Sequence, residues 1–401
     1  MKTNLLRIDT PCANGAGHRD LRKILLCPGP VMLSDAVQRA VLTTNIGHRE
    51  VEFSDILRQS AKLLRPVVGA DDSYEIAFVT GSGTAANECI IAGLAGQGAI
   101  LVISNGEFGE RLAEVARTHS ADVDHLRFEW QEAIDLVRLQ ATLQAKAYRL
   151  VLVVHHETST GMLNPVAQVA ALAHAHGALI SVDAVSSIGG EHIEMIEWGI
   201  DILVGASGKA LSAMPGVGIL VVRTQVLATL ETADKASHYL DLKKHFHFMR
   251  EFAQTPNTPA IHAFVALHAS LLEMTKLGLK TFRRTIGARA RLTRQVLRGL
   301  NLDHAVYQGH TSQVITCVYL PPMMSVARLA KRLKEQGIVI YNGKGPLKDR
   351  LFQLGHIGAL RHEDTLFALE QLTRIIKDSR GIQQHLPLGM EPLSGEVHDA
   401  A

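Results

Sequence analysis

The sequence predicts an α/β fold, with a mostly parallel sheet in a large domain followed by a smaller α+β domain. Short apolar runs that end at glycine or polar turns alternate with amphipathic helical patterns from about residue 75 to residue 225. This alternation is typical of parallel strands that are covered by helices on both faces. A second pattern of strands and helices over roughly residues 280–380 indicates the smaller domain.

The expected elements are assigned from the period of their apolar residues. Strand runs are continuous and apolar, whereas helical runs carry apolar residues three or four positions apart. The large domain reads, in order, as "YEIAFVTG" and "TAANECIIAGLAG", "AILVISNG" and "EFGERLAEVARTHS", "YRLVLVVHHE" and "PVAQVAALAHAHG", then the strands "ALISVDAV", "DILVGAS" and "GVGILVVR". A helical region follows over about residues 260–300. The small domain reads as strand "QVITCVYL", helix "SVARLAKRLKEQG", strands "IVIYNG" and "RLFQLGHIG", and helix "HEDTLFALEQLTRIIKDS".

These patterns divide the chain into four expected segments. They are an N-terminal extension (1–22), a large domain (23–275), a small C-terminal domain (276–380) and a tail (381–401). The tail contains glycine, proline and histidine without periodicity, so we expect it to be mobile.

Composition narrows the function classes. The 401 residues carry 41 Lys and Arg against 39 Asp and Glu, a balance that favours neither nucleic acid nor a membrane surface as a partner. No apolar run is long enough for a signal peptide or a spanning helix. The four cysteines are scattered without zinc spacing, so we expect free thiols, no metal site and a reducing, cytoplasmic location.

Lys209 lies in a turn of small residues, "GASGKAL", directly after a predicted strand. A lone lysine in a turn is ordinarily a surface residue. Here the small neighbours leave open space before the amine, and a buried strand follows at once. An amine in such a confined, partly apolar site has a lowered pKa and is a competent nucleophile for Schiff-base chemistry.

Asp183 lies at the end of the buried strand "ALISVDAV". A carboxylate there is costly unless a cation meets it. One interpretation is a helix N-cap at the strand-to-helix turn. The other is an anion that keeps a pyridinium nitrogen protonated, as pyridoxal phosphate requires.

Three further stretches end predicted strands, where parallel sheets bind ligands. "TGSGTAANE" places Ser82, Gly83 and Thr84 at a helix start, which suits a phosphate. Phe108 is either core or a ring that stacks on the cofactor. Thr158 in "HHETSTGMLNP" is a candidate partner for the cofactor ring. The two histidines of that stretch point to opposite faces of a strand and cannot readily share a metal.

The ordered motifs "KILLCPGPV", "GHREVEF", "TGSGTAANE", "NGEFGER", "HHETSTGMLNP", "SVDAVSSIGG" and "GASGKAL" resemble the class V aminotransferases of fold type I. The resemblance covers about residues 23–375. "HHETSTGMLNP" followed by "DAVSSIGG" is most similar to the 2-aminoethylphosphonate:pyruvate aminotransferases. "GHREVEF" is shared with the alanine–glyoxylate and serine–glyoxylate enzymes.

The resemblance implies pyridoxal 5'-phosphate as cofactor and a role for each matching residue. Lys209 would form the Schiff base and act as general base, and Asp183 would pair with the ring nitrogen. The expected cofactor contacts are Ser82, Gly83 and Thr84 at the phosphate, Phe108 on the ring, Thr158 near the ring oxygen, Ser207 beside the lysine, and Thr255 in "AQTPNTP" at the phosphate of the partner subunit. The resemblance thus implies a homodimer with shared active sites, an amine donor and a 2-oxo acid acceptor.

Three positions depart from the family pattern. Gly208 stands where these families often have Gln or Asn, and Phe252 where a tyrosine is frequent. Gln353 in "FQLG" replaces the arginine that binds the acidic group of the substrate, and Gln cannot form that bidentate clamp. Arg49 and Lys344 are candidate replacements, although each is equally well interpreted as solvated surface charge.

The sequence therefore predicts a transaminase that moves an amino group from 2-aminoethylphosphonate or a close relative to pyruvate. The first alternative is an alanine– or serine–glyoxylate aminotransferase, for which Gln353 is unfavourable. A desulfurase would need a cysteine in a mobile loop, whereas Cys317 lies in a strand pattern. A non-catalytic cofactor-binding or regulatory protein would leave the Lys209–Asp183 combination unexplained.

Overall fold

The computed structural model describes residues 23–230, 237–305, 307 and 309–381. The expected extension at 1–22 and nearly all of the expected tail lie outside the described residues. Within the described part of the chain, no helix is long and apolar enough to cross a membrane.

The strands, in chain order, are β1 (Ile24–Leu25), β2 (Tyr74–Thr80), β3 (Ile100–Ser104), β4 (Val123–Arg127), β5 (Leu150–Val154), β6 (His156–Glu157), β7 (Met162–Leu163), β8 (Leu179–Asp183), β9 (Ile202–Ala206), β10 (Val217–Arg223), β11 (Ile315–Tyr319), β12 (Ile338–Val339), β13 (Tyr341–Asn342) and β14 (Leu351–Gly355).

The helices are α1 (Asp35–Thr43), α2 (Val51–Val68), α3 (Gly83–Leu94), α4 (Glu107–His119), α5 (Leu136–Ala145), α6 (Val166–Ala175), α7 (Thr224–Thr229), α8 (Leu242–Phe252), α9 (Ile261–Leu277), α10 (Leu279–Gly299), α11 (Val326–Glu335) and α12 (His362–Ser379), with a 3₁₀ turn at Gly345–Leu347.

A seven-stranded sheet in the order β2-β10-β9-β8-β5-β3-β4 forms the centre of the large domain. Only β10 runs against its neighbours β2 and β9, and the other pairings between adjacent strands are parallel. The mostly parallel sheet is therefore as the sequence predicts. Successive residues of one strand, such as Val153 and Val154 of β5, enter two different apolar clusters on opposite faces of the sheet. The strands consequently read as continuous apolar runs.

The carboxyl ends of the parallel strands bring the polar residues to one edge. In the sheet register Val154 pairs with Asp183, and Asp183 pairs with Val204. β9 ends at Ala206, so Lys209 follows three residues beyond the same edge. This arrangement is the general ligand-binding position of open α/β sheets.

The second core belongs to the C-terminal part of the chain. It is formed by α10, α11, α12 and the antiparallel sheet β11-β14-β13. β1 pairs in parallel with β12, and Ile24 and Leu26 pack in this second core. Residues 24–26 thus pack with the C-terminal domain, although we expected the large domain to begin at residue 23. The apolar side chains of 24 and 26 find their partners there and not in the large core.

Other expected elements differ in detail. The helical region at 260–300 is two helices that meet at Gly278, whose φ of +82° belongs to the left-handed region and breaks the helix. The expected strand "IVIYNG" is split, because β12 pairs with β1 whereas β13 pairs with β14. β4 lies at the edge of the large sheet and is only half-buried, so it lacks the apolar run from which the other strands were predicted.

Tyr74 forms hydrogen bonds that stabilise the edge of the large core. Its buried hydroxyl donates to the carbonyl of Ile200 at 2.9 Å and accepts from Arg223 Nη2 at 2.9 Å. Tyr74→Phe leaves both groups without this partner, so we expect the free energy of unfolding to fall by about 1–3 kcal/mol. Urea denaturation measures it, with the exposed Tyr341→Phe as the control, expected within about 0.5 kcal/mol of wild type. Equal losses in the two variants would contradict this account.

Candidate active site

A cavity of about 220 Å³ lies at the carboxyl edge of the large sheet. Seven of the residues predicted from the sequence line it: Ser82, Gly83, Thr84, Phe108, Thr158, Asp183 and Lys209. Sequence reasoning did not assign the other lining residues to the site: Asn87, Arg111, Leu112, Val115, Val154, His156, Val185 and Ser186. The cavity therefore unites most of the predicted cofactor contacts around one amine.

The Lys209 side chain is confined by close backbone contacts. A Cβ at Gly29 would lie 2.7 Å from Lys209 Cδ, so only glycine lets that segment cross the lysine stem. A Cβ atom at Gly208 would lie 2.8 Å from Pro215 Cγ. Burial, followed by the positive charge of Lys344, lowers the pKa of Lys209 to about 8, while Asp183 opposes the shift. The amine is thus much more readily deprotonated than an exposed lysine.

Ser207 is used by the turn that carries the lysine. Its hydroxyl donates to the carbonyl of Met214 at 2.6 Å and accepts from the Val217 backbone nitrogen at 3.2 Å. Ser207 is buried and is not among the residues that line the cavity. The structure therefore gives it a part in holding Lys209, and it does not bring the hydroxyl to the cavity as we expected.

Asp183 is buried at the end of β8 with two hydrogen-bond donors on its carboxylate. Asn87 Nδ2 donates to Oδ2 at 2.7 Å, and the backbone nitrogen of Val185 donates to Oδ1 at 2.9 Å. Burial raises the pKa of Asp183 and outweighs these donors and the charge of Lys209. A protonated heterocyclic nitrogen in the cavity would supply the cation that such a carboxylate lacks.

The carboxylate of Glu157, in β6, holds the first turn of α4, which carries Phe108. Glu157 Oε2 accepts from the backbone nitrogens of Phe108 at 3.2 Å and Gly109 at 3.1 Å, in the first turn of α4. The Ser159 hydroxyl donates to the other oxygen at 2.5 Å. Because helix starts leave N–H groups without partners, this buried carboxylate replaces a local cap. Burial still raises the pKa of Glu157, to about 6.

Three cations surround the Phe108 ring. Its centroid lies 4.8 Å from Arg111 Cζ, 5.0 Å from Lys344 Nζ and 5.9 Å from Lys209 Nζ. Lys344 thus reaches the site from the C-terminal domain, as one of our two candidates for the missing arginine. Arg111 was missed, although its position three residues after Phe108 on one helix was a usable signal.

The remaining predicted residues lie away from the cavity of this chain. Arg49 donates to Gln254 Oε1 and to the carbonyl of Thr255, each at 2.9 Å, and the Thr255 hydroxyl donates to the carbonyl of Asn257. Gln353 is buried in β14, and its Nε2 donates to the carbonyl of Thr158 at 2.7 Å. Gln353 therefore stabilises the loop that contains Thr158, after β6. A substrate role for Gln353 or for Arg49 stays a prediction.

In the described part of the chain, no group of three or more His, Cys, Asp and Glu side chains is arranged to hold a metal ion. His155 and His156 bond to different hydroxyls, those of Ser187 and Ser186. Only His156 lines the cavity.

Asn87, which lines the cavity, was also missed, since an amide four residues along a helix from a glycine turn carries no distinctive signal.

The residues present fit pyridoxal phosphate. α3 begins at Gly83 beside the cavity, and its first N–H groups point to where a phosphate is favoured. A Cβ at Gly83 would collide with Val185, so the backbone itself forms that wall. Lys209 and Asp183 both line this cavity, where they would offer an amine for the aldehyde and an anion for the ring nitrogen. Fold and site together define a pyridoxal phosphate-dependent enzyme of fold type I.

Comparison with known proteins identifies the family. The family model described as "Aminotransferase class-V" matches residues 36–359, and the chain belongs to that family. An uncharacterized aminotransferase of Methanocaldococcus jannaschii is 29% identical over 363 residues, which is 89% of this chain and 94% of that protein. A 2-aminoethylphosphonate–pyruvate transaminase of Salmonella paratyphi A is 30% identical over 358 residues, covering 85% and 94%. The structure of an alanine–glyoxylate aminotransferase from Nostoc sp. matches with TM-score 0.83 and 26% identity, over 92% of this chain and 97% of that one.

Family membership confirms the fold, the cofactor and the general reaction. The chain is an aminotransferase with pyridoxal 5'-phosphate as cofactor, and it takes an amine donor and a keto acid acceptor. The desulfurase alternative is further weakened because Cys317 is buried inside β11, where burial raises its pKa to about 12.

Glu157 gives the site a pH-dependent stability. Its folded-state pKa of about 6 lies above the ordinary value of 4.5, so the folded chain binds the proton more tightly than the unfolded chain. The stabilisation is complete below pH 4.5 and is lost as the pH rises through 6, a change of about 2 kcal/mol.

We expect Glu157→Gln to remove this dependence. Urea unfolding at pH 4.5 and pH 6.5 should show the wild type losing about 1.5 kcal/mol relative to the variant. The introduced amide places a donor opposite the backbone donors, which changes the free energy of unfolding of the variant by the same amount at both pH values. The change between the two pH values can therefore still be compared with that of the wild type. If the free energies of unfolding of the two proteins changed in parallel with pH, folding would not raise the pKa of Glu157.

Proposed function

We propose that this site transfers the amino group of 2-aminoethylphosphonate, or a related aminophosphonate, to pyruvate. The products are phosphonoacetaldehyde and alanine, so the donor carbon is oxidised and the keto carbon reduced by the same two electrons. The observation that carries the proposal is the cluster of Lys209, Arg111 and Lys344 around Phe108. One amine for the chemistry and two further cations suit a substrate that pairs an amino group with a phosphonate.

Pyridoxal phosphate, when bound, supplies an aldehyde that takes up the amino group and a ring that accepts the electron pair of the substrate carbon. Lys209 Nζ, with its lowered pKa, would accept the proton that the donor carbon loses. In the second half of the reaction it would supply the proton that the keto carbon of the acceptor gains. Asp183 would keep the ring nitrogen protonated. Phe108 would pack on the ring and exclude water from it.

The phosphate and ring oxygen have separate candidate partners. Ser82, Gly83 and Thr84 offer two hydroxyls and the N-terminal N–H groups of α3, which favour the phosphate of the cofactor. Thr158 offers a hydroxyl at the cavity wall for the ring oxygen. These assignments rest on the shared cavity and on the motifs of the family.

We assign Arg111 and Lys344 as the residues that bind the acidic group of the substrate. The side chain of Gln353 is neutral, buried and bonded to the Thr158 carbonyl, so it does not provide a cation. The Arg49 guanidinium is already bonded at 2.9 Å to Gln254 and Thr255. In contrast, Arg111 and Lys344 lie within 5.0 Å of the ring that lines the cavity.

A homodimer with shared active sites accompanies this proposal. Large apolar side chains are exposed near the "AQTPNTP" segment and the N-terminal helices, including Leu42 at 82%, Val51 at 72% and Phe252 at 51%. Burial of such side chains is a normal reason for association. Thr255 would then reach the cofactor phosphate of the partner subunit. The three described cysteines are free and buried, which supports a reducing, cytoplasmic location.

The alternative function is an alanine– or serine–glyoxylate type of transamination. The likeness to the alanine–glyoxylate aminotransferase of Nostoc supports it. It uses the same lysine and aspartate but a donor with only a carboxylate. The absence of an arginine at position 353 is the feature that makes it the second choice.

A donor screen tests the proposed reaction. We expect 2-aminoethylphosphonate with pyruvate to be turned over faster than L-alanine or L-serine with glyoxylate. Lys209→Ala should lose turnover by about 10²–10⁴-fold or more, together with the visible absorbance of the covalently held cofactor. Lys348→Ala, an exposed lysine of the small domain, is the matched control and should keep both. Preference for L-alanine or L-serine would establish the alternative, and an active Lys209→Ala would exclude Lys209 as the catalytic amine.

Separate variants test the phosphonate contacts. Lys344→Met and Arg111→Met should each lower kcat/KM for 2-aminoethylphosphonate by about 10-fold or more, mainly through KM, because each removes a charged partner. Ethylamine lacks the phosphonate, so its slow turnover should change less than that of 2-aminoethylphosphonate. Loss of the Lys344 charge also acts on the Lys209 pKa, and that effect is common to both amines. Lys348→Met serves as the control. If both amines lose equally, the two cations do not bind the acidic group.

A further inference from the structure

We propose that Trp130 is a positioning residue that holds Lys344 over Phe108 and thereby sets the preference of the enzyme for a donor with an acidic group. Trp130 follows β4 of the large sheet, whereas Lys344 follows β13 of the small sheet. The part of this inference that concerns the donor rests on the proposed function. The part that concerns the place of Lys344 rests on the contacts of the chain alone.

The hairpin between β13 and β14 carries Lys344. Its base is closed by two hydrogen bonds between the side chain of Asn342 and Asp349, at 2.6 and 2.9 Å. The Gly343 backbone nitrogen also donates to the carbonyl of Leu351 at 2.8 Å. These three bonds fix the shape of the hairpin, but each lies within it. The distance between Lys344 and α4 therefore depends on contacts that reach the hairpin from the large domain.

Trp130 provides such a contact. A Cβ at Gly345 would lie 2.6 Å from Trp130 Cη2, so the six-membered ring of the indole packs directly on the Gly345 backbone. The φ of Gly345 is +46°, in the left-handed region that suits glycine. The indole also packs against a small apolar cluster that includes Leu347. Trp130 thus contacts the residues that directly follow Lys344 in the hairpin.

The indole is itself held by α4. Trp130 Nε1 donates to Glu110 Oε1 at 3.0 Å. Glu110 lies on α4 between Phe108 and Arg111, two side chains that line the cavity. One helix therefore carries the aromatic ring and, through Trp130, holds the hairpin whose lysine Nζ lies 5.0 Å from the centroid of that ring. A large aromatic ring with its N–H paired in this way is a rigid spacer between α4 and the hairpin.

A second bridge, at the next residue, has a different target. Gln131 Nε2 donates to the Tyr307 hydroxyl at 3.0 Å, and that hydroxyl donates to the carbonyl of Thr160 at 2.9 Å. Tyr307 lies outside the hairpin that carries Lys344. Gln131 is therefore a matched comparison for Trp130, because its loss would weaken the contact between the domains without removing the indole from the hairpin.

Loss of the indole should let the hairpin, and Lys344 with it, move away from Phe108. An acidic donor would then meet one fewer fixed cation, so its binding should weaken. The pKa of Lys209 should also rise, since the charge of Lys344 contributes to its lowering. That second effect acts on every amine donor alike, so the ratio between an acidic and a neutral donor isolates the contact with the acidic group.

Chemical labelling tests the place of Lys344 without any donor. The enzyme with its cofactor bound is treated with an amine-acylating reagent, and mass spectrometry gives the labelling rate of the half-buried Lys344 relative to the exposed Lys348. We expect Trp130→Leu to raise this ratio by about 3-fold or more, because a covered amine reacts only as often as its cover opens. An unchanged ratio would overturn the inference.

Control variants separate this contact from general loosening of the structure. Gln131→Ala should keep the wild-type labelling ratio, and so should Trp198→Leu, since the other tryptophan of the chain packs on His155. An equal rise in these variants would contradict the inference. Gly345→Ala disturbs the same contact from the hairpin and should raise the ratio, so the test does not depend on the folding of Trp130→Leu alone.

A double-mutant cycle tests the consequence for the donor. We expect Trp130→Leu to lower the ratio of kcat/KM for 2-aminoethylphosphonate to that for ethylamine by about 3- to 10-fold, mainly through KM. In the Lys344→Met background the same substitution should leave this ratio unchanged, because the lysine that Trp130 positions is gone. Equal losses in the two backgrounds would overturn the inference. If Lys344→Met alone leaves the ratio unchanged, the phosphonate contact of the proposed function is wrong, and the labelling ratio by itself decides whether Trp130 places Lys344.

Discussion

The removal of the Lys209 amine from bulk water is the constraint on which the rest of this site depends. An ammonium loses its hydration in that position, so its pKa falls and the neutral nucleophile becomes accessible. The fold creates the position because β8 and β9 end at the same edge and β10 returns against them, which leaves the turn with Lys209 between two buried strands. Close backbone packing at Gly29 and Gly208 confines the side chain there.

The sequence predicted the sheet, the lysine and the aspartate because each leaves a local signal. A parallel strand buried on both faces is a continuous apolar run, and its end is marked by the first polar residue, as at Asp183. Gly83 and Lys209 interrupt such runs in the same way. β4 and β1 left no comparable signal, since an edge strand is half-buried and a two-residue strand is too short for a period.

Contacts between distant segments could not be read from the sequence. Glu157 acts as the cap of α4 although 50 residues separate it from Glu107, the first residue of that helix. Gln353 was recognised as unusual, yet its bond to the Thr158 carbonyl depends on how the small sheet lies against the strand-end loop. The position of Lys344 above Phe108 likewise follows from packing of the two cores. The electrostatics of the site are thus set by tertiary structure, while its chemistry is set by local motifs.

The C-terminal domain consequently takes part in the acid–base behaviour of the lysine. After burial, the charge of Lys344 is the largest influence that lowers the pKa of Lys209, and Lys344 belongs to the loop after β13. Gln353 in the adjacent strand β14 ties the same domain to Thr158. A substrate anion between Arg111 and Lys344 would neutralise part of this positive charge and would favour protonation of the amine. In the proposed reaction, substrate binding and the proton affinity of Lys209 would therefore be linked through Lys344, a cation that the large domain does not supply.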